Sequence, residues 1–222
     1  MKIIARIRTD FDSKFGIPRQ SGLVEGLEGK IVFEPEYRNA EALRGLEDFS
    51  HLWLIWDFSM AHRNGEGWSP TVRPPRLGGN QRMGVWATRS PFRPNNIGLS
   101  SVKLLRIDLQ TPEGPVIWVA GADLMNGTPI YDIKPYLAFT DSHPDATGGF
   151  TDQTKELPAL SVFIPESIKH LFSPNQITAL HGILSQDPRP HYQDDPTRTY
   201  SFEFAGKTIR FKVDGEQLIV LE

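Results

Sequence analysis

The sequence predicts a mainly β protein: a small β-barrel N-terminal domain with one short helix and long loops, then a small α+β C-terminal domain. Three observations carry that reading. Residues 1–137 break into many short alternating or apolar runs bounded by turn residues, in a chain with 18 prolines and 19 glycines among 222 residues. Many short strands with few helices suit a closed or nearly closed barrel. Residues 141–154 (DSHPDATGGFTDQT) hold little apolar content and read as a linker. Beyond them, a strongly signalled helix and three strands in series form a second unit. The expected domains are 1–145 and 155–222.

In chain order, Lys2 to Thr9 sets Ile3, Ala5 and Ile7 against Arg6 and Arg8, a half-buried strand. Phe11 to Gly22 has no period, and Gly16, Pro18 and Gly22 make it a long shaped loop. Gly29 to Pro35 is a second strand, and Ala40 to Leu46 a short helix. His51 to Phe58 (HLWLIWDF) is apolar and aromatic at nearly every position, which predicts a central strand buried on both faces. Met83 to Ser90 alternates around Val85 and Ala87, giving another strand with Trp86 assigned to the core. Ser101 to Gln110 and Gly114 to Leu124 form a hairpin about the turn Thr111 to Gly114, and Asn126-Gly127 starts a turn into the last strand, to Leu137.

In the second unit Ala159 to Phe163 is a strand and Pro165 to Phe172 a short helix. The next helix begins with Ser173 as N-cap, Pro174 at the first position and Gln176 three after the cap, and it carries Ile177, Leu180, Ile183 and Leu184 on one face. A three-stranded meander with a tight Asp214-Gly215 turn ends the chain.

Composition excludes several classes of function. With no cysteine, disulfides, thiolate metal sites and cysteine nucleophiles are ruled out. Six histidines lack metal-ligand spacing. GxGxxG, GxxxxGK[ST] and HExxH are missing, and Gly98-Leu99-Ser100 is not a nucleophile elbow. Lys2, Arg6 and Arg8 interrupt any apolar core a signal peptide needs, and no stretch has the uncharged length that spans a bilayer. A cytoplasmic protein without a membrane or metal partner is expected.

Net charge is only −3, but it is segregated. Arg73 to Arg106 carries six arginines, one lysine and no carboxylate, whereas the rest of residues 1–150 carries −7. Its four prolines and four glycines mount those cations on shaped turns. A surface loop rich in turn residues accounts for this stretch, and so does a site built for an anion. Four polar loops lie near strand ends: Pro18-Arg19-Gln20, Ser59 to Arg63, Thr88 to Gly98 and Asp123 to Asp132. Arginines suit phosphate or carboxylate, Asp123, Asn126 and Asp132 suit ribose hydroxyls or an amine, and Phe92 suits stacking on a base, as does Trp86 if it is not the core residue its strand position implies.

The segments GLVEG, ALRGLEDFSHLW, TVRPPRLGGNQRMGVWATRSPFRPNNIGLSSVKL, DLMNGTPIYDIKPYL and SQDPRPHY together resemble the TsaA/YaeB family, the TrmO-type tRNA methyltransferases. The resemblance covers essentially the whole chain; the family normally carries aspartate or a similar residue where Asn126 stands. It implies methyl transfer from S-adenosylmethionine to N6 of N6-threonylcarbamoyladenosine at position 37 of the tRNA anticodon loop, by a small β-barrel acting as a homodimer. Carried over residue by residue, it implies cofactor binding by Pro18, Arg19, Gln20, His62, Arg63, Arg89, Leu99, Asp123, Leu124, Met125 and Asn126. It implies substrate or tRNA contacts at Arg73, Arg76, Arg93, Lys134, Asp187, Arg189, Pro190 and Tyr192, with the C-terminal domain contributing to tRNA binding. Tyr136, Asp132 and His62 are the candidates for a general base. From the residues alone, a non-catalytic RNA-binding barrel and an S-adenosylmethionine sensor remain the alternatives.

Overall fold

Alternation of buried and outward side chains closes six strands into a barrel in the computed structural model, which describes residues 1–58, 68–74, 77, 80–153, 159–189 and 195–221. The barrel strands are β1 (Ala5–Arg8), β2 (Glu28–Phe33), β3 (His51–Asp57), β6 (Ile97–Asp108), β7 (Val116–Ala120) and β8 (Pro129–Pro135). Between β3 and β6 the chain forms a small ribbon of β4 (Thr71–Val72) and β5 (Met83–Gly84). Around the barrel the order is β1-β2-β7-β6-β3-β8, and the pairs Ala5 with Ile130 and Arg6 with Pro129 complete the circle. Ile7, Ile31, Leu52, Leu54, Ile117 and Ile130 fill the interior without solvent exposure, each worth about 1.5–3 kcal/mol over an exposed position.

β3 differs from its expected burial. Leu52, Leu54 and Trp56 point inward, while His51, Trp53, Ile55 and Asp57 are half-buried on the outer face. A barrel strand has one solvent side, and aromatic residues occupy it here. Tyr136 covers part of that face, its ring 5.5 Å from Trp53. The expected helix at 40–46 is instead a series of 3-10 turns, Pro35–Tyr37, Ala40–Leu43 and Leu46–Asp48, broken at Gly45, whose φ of 82° is left-handed. The expected strand at 83–90 ends at Gly84; a 3-10 turn, Val85–Ala87, buries Val85 and swings Trp86 out to 63% exposure. Trp86 is therefore a surface residue, not core.

The two local turns appear as expected. Gly114 N–H donates to the Thr111 carbonyl, and Thr128 N–H to that of Met125. Every neighbouring barrel pair is antiparallel. The chain therefore leaves one rim after β1, β3 and β7 and re-enters at that rim into β2, β6 and β8. The β1–β2, β3–β6 and β7–β8 loops gather there, and the β2–β3 connection, residues 34–50, lies at the other rim.

After β8 come α1 (Ala138–Asp141), a 3-10 turn (Gly149–Gln153), β9 (Ser161–Phe163), α2 (Glu166–Lys169), α3 (Pro174–Ser185), β10 (Tyr200–Phe204), β11 (Lys207–Asp214) and β12 (Gln217–Leu221). The last strands form a sheet in the order β10-β11-β12-β9, with β9 parallel to β12. α3 begins in a capping box, with Ser173 and Gln176 each satisfying the other's backbone N–H.

This sheet shares its core with the β1–β2 loop: Phe11, Val24 and Leu27 pack with Leu180, Phe202 and Phe211. Gly16 lies so close to Phe202 that a Cβ there would stand 2.4 Å from the ring. Polar ties reinforce the contact: Gln176 Nε2 to Asp10 Oδ2 at 3.2 Å, Asn175 Nδ2 to Glu28 Oε1 at 2.9 Å and Gln186 Nε2 to the Leu23 carbonyl at 2.9 Å. The second unit thus braces the loop that bears Pro18-Arg19-Gln20. Among the described residues no helix is long and apolar enough to cross a membrane.

Candidate functional site

The rim loops are cross-tied by their own backbones. Gly22 N–H donates to the Gly121 carbonyl, Asn126 N–H to that of Phe11 and Gly127 N–H to that of Ile7, at 2.7 to 2.9 Å. Thr9 Oγ1 donates to the Leu124 carbonyl at 3.0 Å, and Asn126 Nδ2 to Asp12 Oδ1 at 2.9 Å. Gly121 has φ 77°, and a Cβ there would press on the Gly22 backbone at 3.1 Å. The β1–β2 and β7–β8 loops therefore form one rigid wall.

Within this wall lies a buried polar chain. Trp56 Nε1 donates to Ser100 Oγ at 3.0 Å, and Ser100 Oγ donates to Asp123 Oδ1 at 2.6 Å. Gly98, opposite Trp56 on β6, makes room for the indole: a Cβ there would stand 2.2 Å from it. Burial pushes the Asp123 carboxyl above its ordinary range, opposed by hydrogen bonds from Ser100 and backbone N–H groups and by the Arg89 charge. Arg89 comes from the β3–β6 connection and donates to Gln20 Oε1. Gln20, Arg89 and Asp123 are thus brought together from three loops, combining an exposed guanidinium, an amide and a half-buried carboxylate.

Other expected residues have different placements. Pro18 is buried and Arg19 exposed. Leu124 is 1% exposed, a barrel core side chain, so only its backbone can face a ligand. The Met125 carbonyl is occupied by Thr128 Oγ1, and Asn126 is exposed beside Asp12. Leu99 is exposed on the outer face of β6, opposite in direction to Ser100.

Arg93 is half-buried, and its Nη1 donates to the Val85 and Thr88 carbonyls at 3.0 and 2.7 Å, which makes it a scaffold cation rather than a ligand for an incoming anion. Arg73 is exposed. Lys134 pairs with Asp132 at 3.0 Å on β8, and Tyr136 lies past the end of that strand, its N–H on the His51 carbonyl. β8 runs away from the loop rim, so Tyr136 is roughly 20 Å along the barrel from it and is not joined to the Asp123 cluster within one chain. Arg189 is buried and held by both carboxylate oxygens of Asp187 at 2.9 Å, a pair that folds the chain after α3. His62, Arg63, Arg76, Pro190 and Tyr192 lie outside the described residues.

Sequence reasoning missed Trp56 and Ser100. Their signal was the outward–inward alternation of β6, which puts Ser100 inside the barrel beside an inward Trp56; a buried serine facing a buried indole needs a polar partner. Among the described residues no cluster of three His, Cys, Asp or Glu side chains suits a metal ion.

Residues 6–142 match the family model for the tRNA-methyltransferase O N-terminal domain, and residues 158–222 that for the TrmO C-terminal domain. A tRNA (adenine(37)-N6)-methyltransferase from Escherichia coli is 40% identical over 99% of this chain and 96% of its own length. A Pseudomonas aeruginosa protein named as an S-adenosylmethionine-dependent methyltransferase is 40% identical over 89% of this chain and 85% of its own. The crystal structure of TrmO from Pseudomonas aeruginosa superposes with a TM-score of 0.76 at 32% identity, covering 99% of this chain and 93% of that one.

Proposed function

The chain belongs to the tRNA-methyltransferase O family, and we propose that it methylates N6 of adenine 37 in tRNA, using S-adenosylmethionine, on the form carrying a threonylcarbamoyl group at that nitrogen. The observation that carries this reading is the rim cluster of Gln20, Arg89 and Asp123, built from three loops and braced from behind by the C-terminal unit.

The residues present suit the cofactor chemically. Arg89, held by Gln20, offers donors for a carboxylate. Asp123, fixed by Ser100, offers acceptors for a ribose diol or an ammonium group. S-adenosylmethionine supplies, when bound, a methyl group on a positively charged sulfur. The protein's share is proximity and orientation of N6 toward that carbon. A half-buried, pre-bonded rim achieves this because Asp123 and Arg89 need no reorganisation when the ligand arrives. The threonylcarbamoyl group withdraws electron density from N6 and eases loss of its proton. Its carboxylate gives an arginine of the Arg73 to Arg93 segment a group to recognise; Arg73, exposed, is our choice over Arg93, which is spent on carbonyls.

Tyr136 stays as a base candidate only if a second chain presents it, whereas Asp132 lies nearer the loop rim on the same strand. A homodimer is therefore part of the proposal. Its support is the outer face of β3 and β6, where Ile97 and Leu99 are exposed beside Ile55. The same proposal assigns the 155–222 unit a share of tRNA binding and puts the protein in the cytoplasm, where tRNA is.

Labelled S-adenosylmethionine incubated with tRNA that carries or lacks the threonylcarbamoyl group tests this reading. Label on the modified tRNA alone is expected. Cofactor retained without transfer would identify a sensor, and tRNA bound without cofactor a binding module. Light scattering should give twice the 25.0 kDa chain mass; the chain mass itself would remove the dimer.

A further inference from the structure

Two exposed tryptophans face each other on the β3–β6 connection, away from the barrel core. Trp68 and Trp86 are 51% and 63% exposed, with ring centroids 5.6 Å apart and planes at 31°. Side chains this apolar are ordinarily buried, and here the local structure holds both out. The β4–β5 ribbon fixes one segment beside the other, with Val85 N–H on the Pro70 carbonyl at 2.9 Å. Thr88 Oγ1 closes the turn under Trp86 on the Val85 carbonyl, and the Arg93 guanidinium, itself bonded to that carbonyl, lies 4.9 Å from the Trp86 ring centre. The Trp86 side of the pair is therefore fixed before anything binds.

Its surroundings are cationic. Arg73, Arg82 and Arg89 are exposed on the same connection, Arg82 steadied by Thr71 Oγ1 at 2.9 Å, and no carboxylate occurs from residue 73 to 106.

We propose that Trp68 and Trp86 form a stacking platform for an unpaired nucleobase of the RNA loop, with Arg82 taking a neighbouring phosphate. The inference rests on the tRNA reading above and extends it to a surface outside the Asp123 cluster. Charge decides the partner: an unpaired nucleotide brings a π-face and an anion together, which is what a preformed aromatic pair among arginines accepts. A paired stem hides its base faces, so the platform selects loop over helix.

The test measures binding of an anticodon stem-loop RNA, and of a fully paired duplex of the same length, to the full chain and to the Trp68→Ala/Trp86→Ala and Trp86→Phe variants. Because both side chains are exposed, folding should hold, and unchanged S-adenosylmethionine affinity verifies it. The double variant is expected to lose about tenfold or more in stem-loop affinity, with duplex binding and mass in solution unchanged and Trp86→Phe close to the parent. Equal stem-loop binding by parent and double variant would overturn the platform while leaving the methyltransferase reading intact. Equal losses on loop and duplex would also overturn it, as would a change of mass, which would mark the pair as a contact between protein chains. A parent that binds neither RNA would overturn the tRNA reading itself, and the platform with it.

Discussion

Ser100 Oγ stands 2.6 Å from Asp123 Oδ1 and also receives the Trp56 indole N–H at 3.0 Å, so one hydroxyl links the barrel interior to the rim. Ser100→Ala strands the buried Trp56 N–H and removes one of the hydrogen bonds to Asp123, and the expected cost is about 1–3 kcal/mol in urea unfolding. The same change removes a hydrogen bond that holds the Asp123 carboxyl down, so the pH at which Asp123 titrates should rise. A variant as stable as the parent would show that the chain of contacts carries no energy.

Asp123 gives a pH dependence with a definite sign. Burial raises its folded pKa, so the folded protein binds this proton more readily than the unfolded chain. Ionisation of Asp123 therefore costs stability once pH rises through the ordinary carboxylate range, and the cost is complete above the raised value. Asp123→Asn should leave the melting temperature at pH 7 equal or higher. It should also weaken S-adenosylmethionine binding roughly 10- to 150-fold, the worth of a hydrogen bond to a charged group. In the parent, affinity should fade on acidification above the ordinary carboxylate range, and that limb should vanish in Asp123→Asn. Calorimetric titrations across pH measure both.

Gly98 serves packing, not flexibility. A methyl at this position would stand 2.2 Å from the Trp56 ring, whose N–H is tied to Ser100. Gly98→Ala must move the indole or the strand, and overpacking of that kind costs about 1–3 kcal/mol. The adjacent Leu99→Ala, at an exposed outward position, should cost far less. Urea midpoints of the two variants make the comparison.

The Asp187–Arg189 pair should behave as structure. Arg189 is buried and Asp187 holds it at two points while adopting φ 48°. Asp187→Ala leaves a buried guanidinium without this carboxylate, a loss of about 3–5 kcal/mol. Lysine at position 189 cannot replace the two-point bond. Thermal melts of Asp187→Ala and Arg189→Lys should both fall, and an unchanged melt would return the pair to the list of RNA contacts.

What the sequence made legible was local chemistry. The Thr111 to Gly114 and Asn126-Gly127 turns and the Ser173 capping box follow from residues a few positions apart, and each appears in the fold. A barrel was legible from the number of short strands, but the residue pairs that close it were not: Ala5 with Ile130 and Arg6 with Pro129 join β1 to β8 from far apart in the chain. The docking of residues 11–27 on the second unit is invisible to any window, because Gly16 and Phe202 meet only in space. Trp86 misled because alternation at 83–90 fits a strand, whereas burial of Val85 alone turns the chain after Gly84. For the site, charge segregation singled out the stretch from Arg73 to Arg106, but side chains decide which arginine is available: Arg89 faces Gln20, and Arg93 is consumed by carbonyls.

The most direct measurement is nucleoside analysis of tRNA after incubation with S-adenosylmethionine and either the parent or Arg89→Ala. The account predicts one product, N6-threonylcarbamoyladenosine at position 37 with a methyl added at N6, formed by the parent and strongly reduced in Arg89→Ala while its melting temperature is kept. A methyl group on any other nucleoside, or full product from Arg89→Ala, would contradict it.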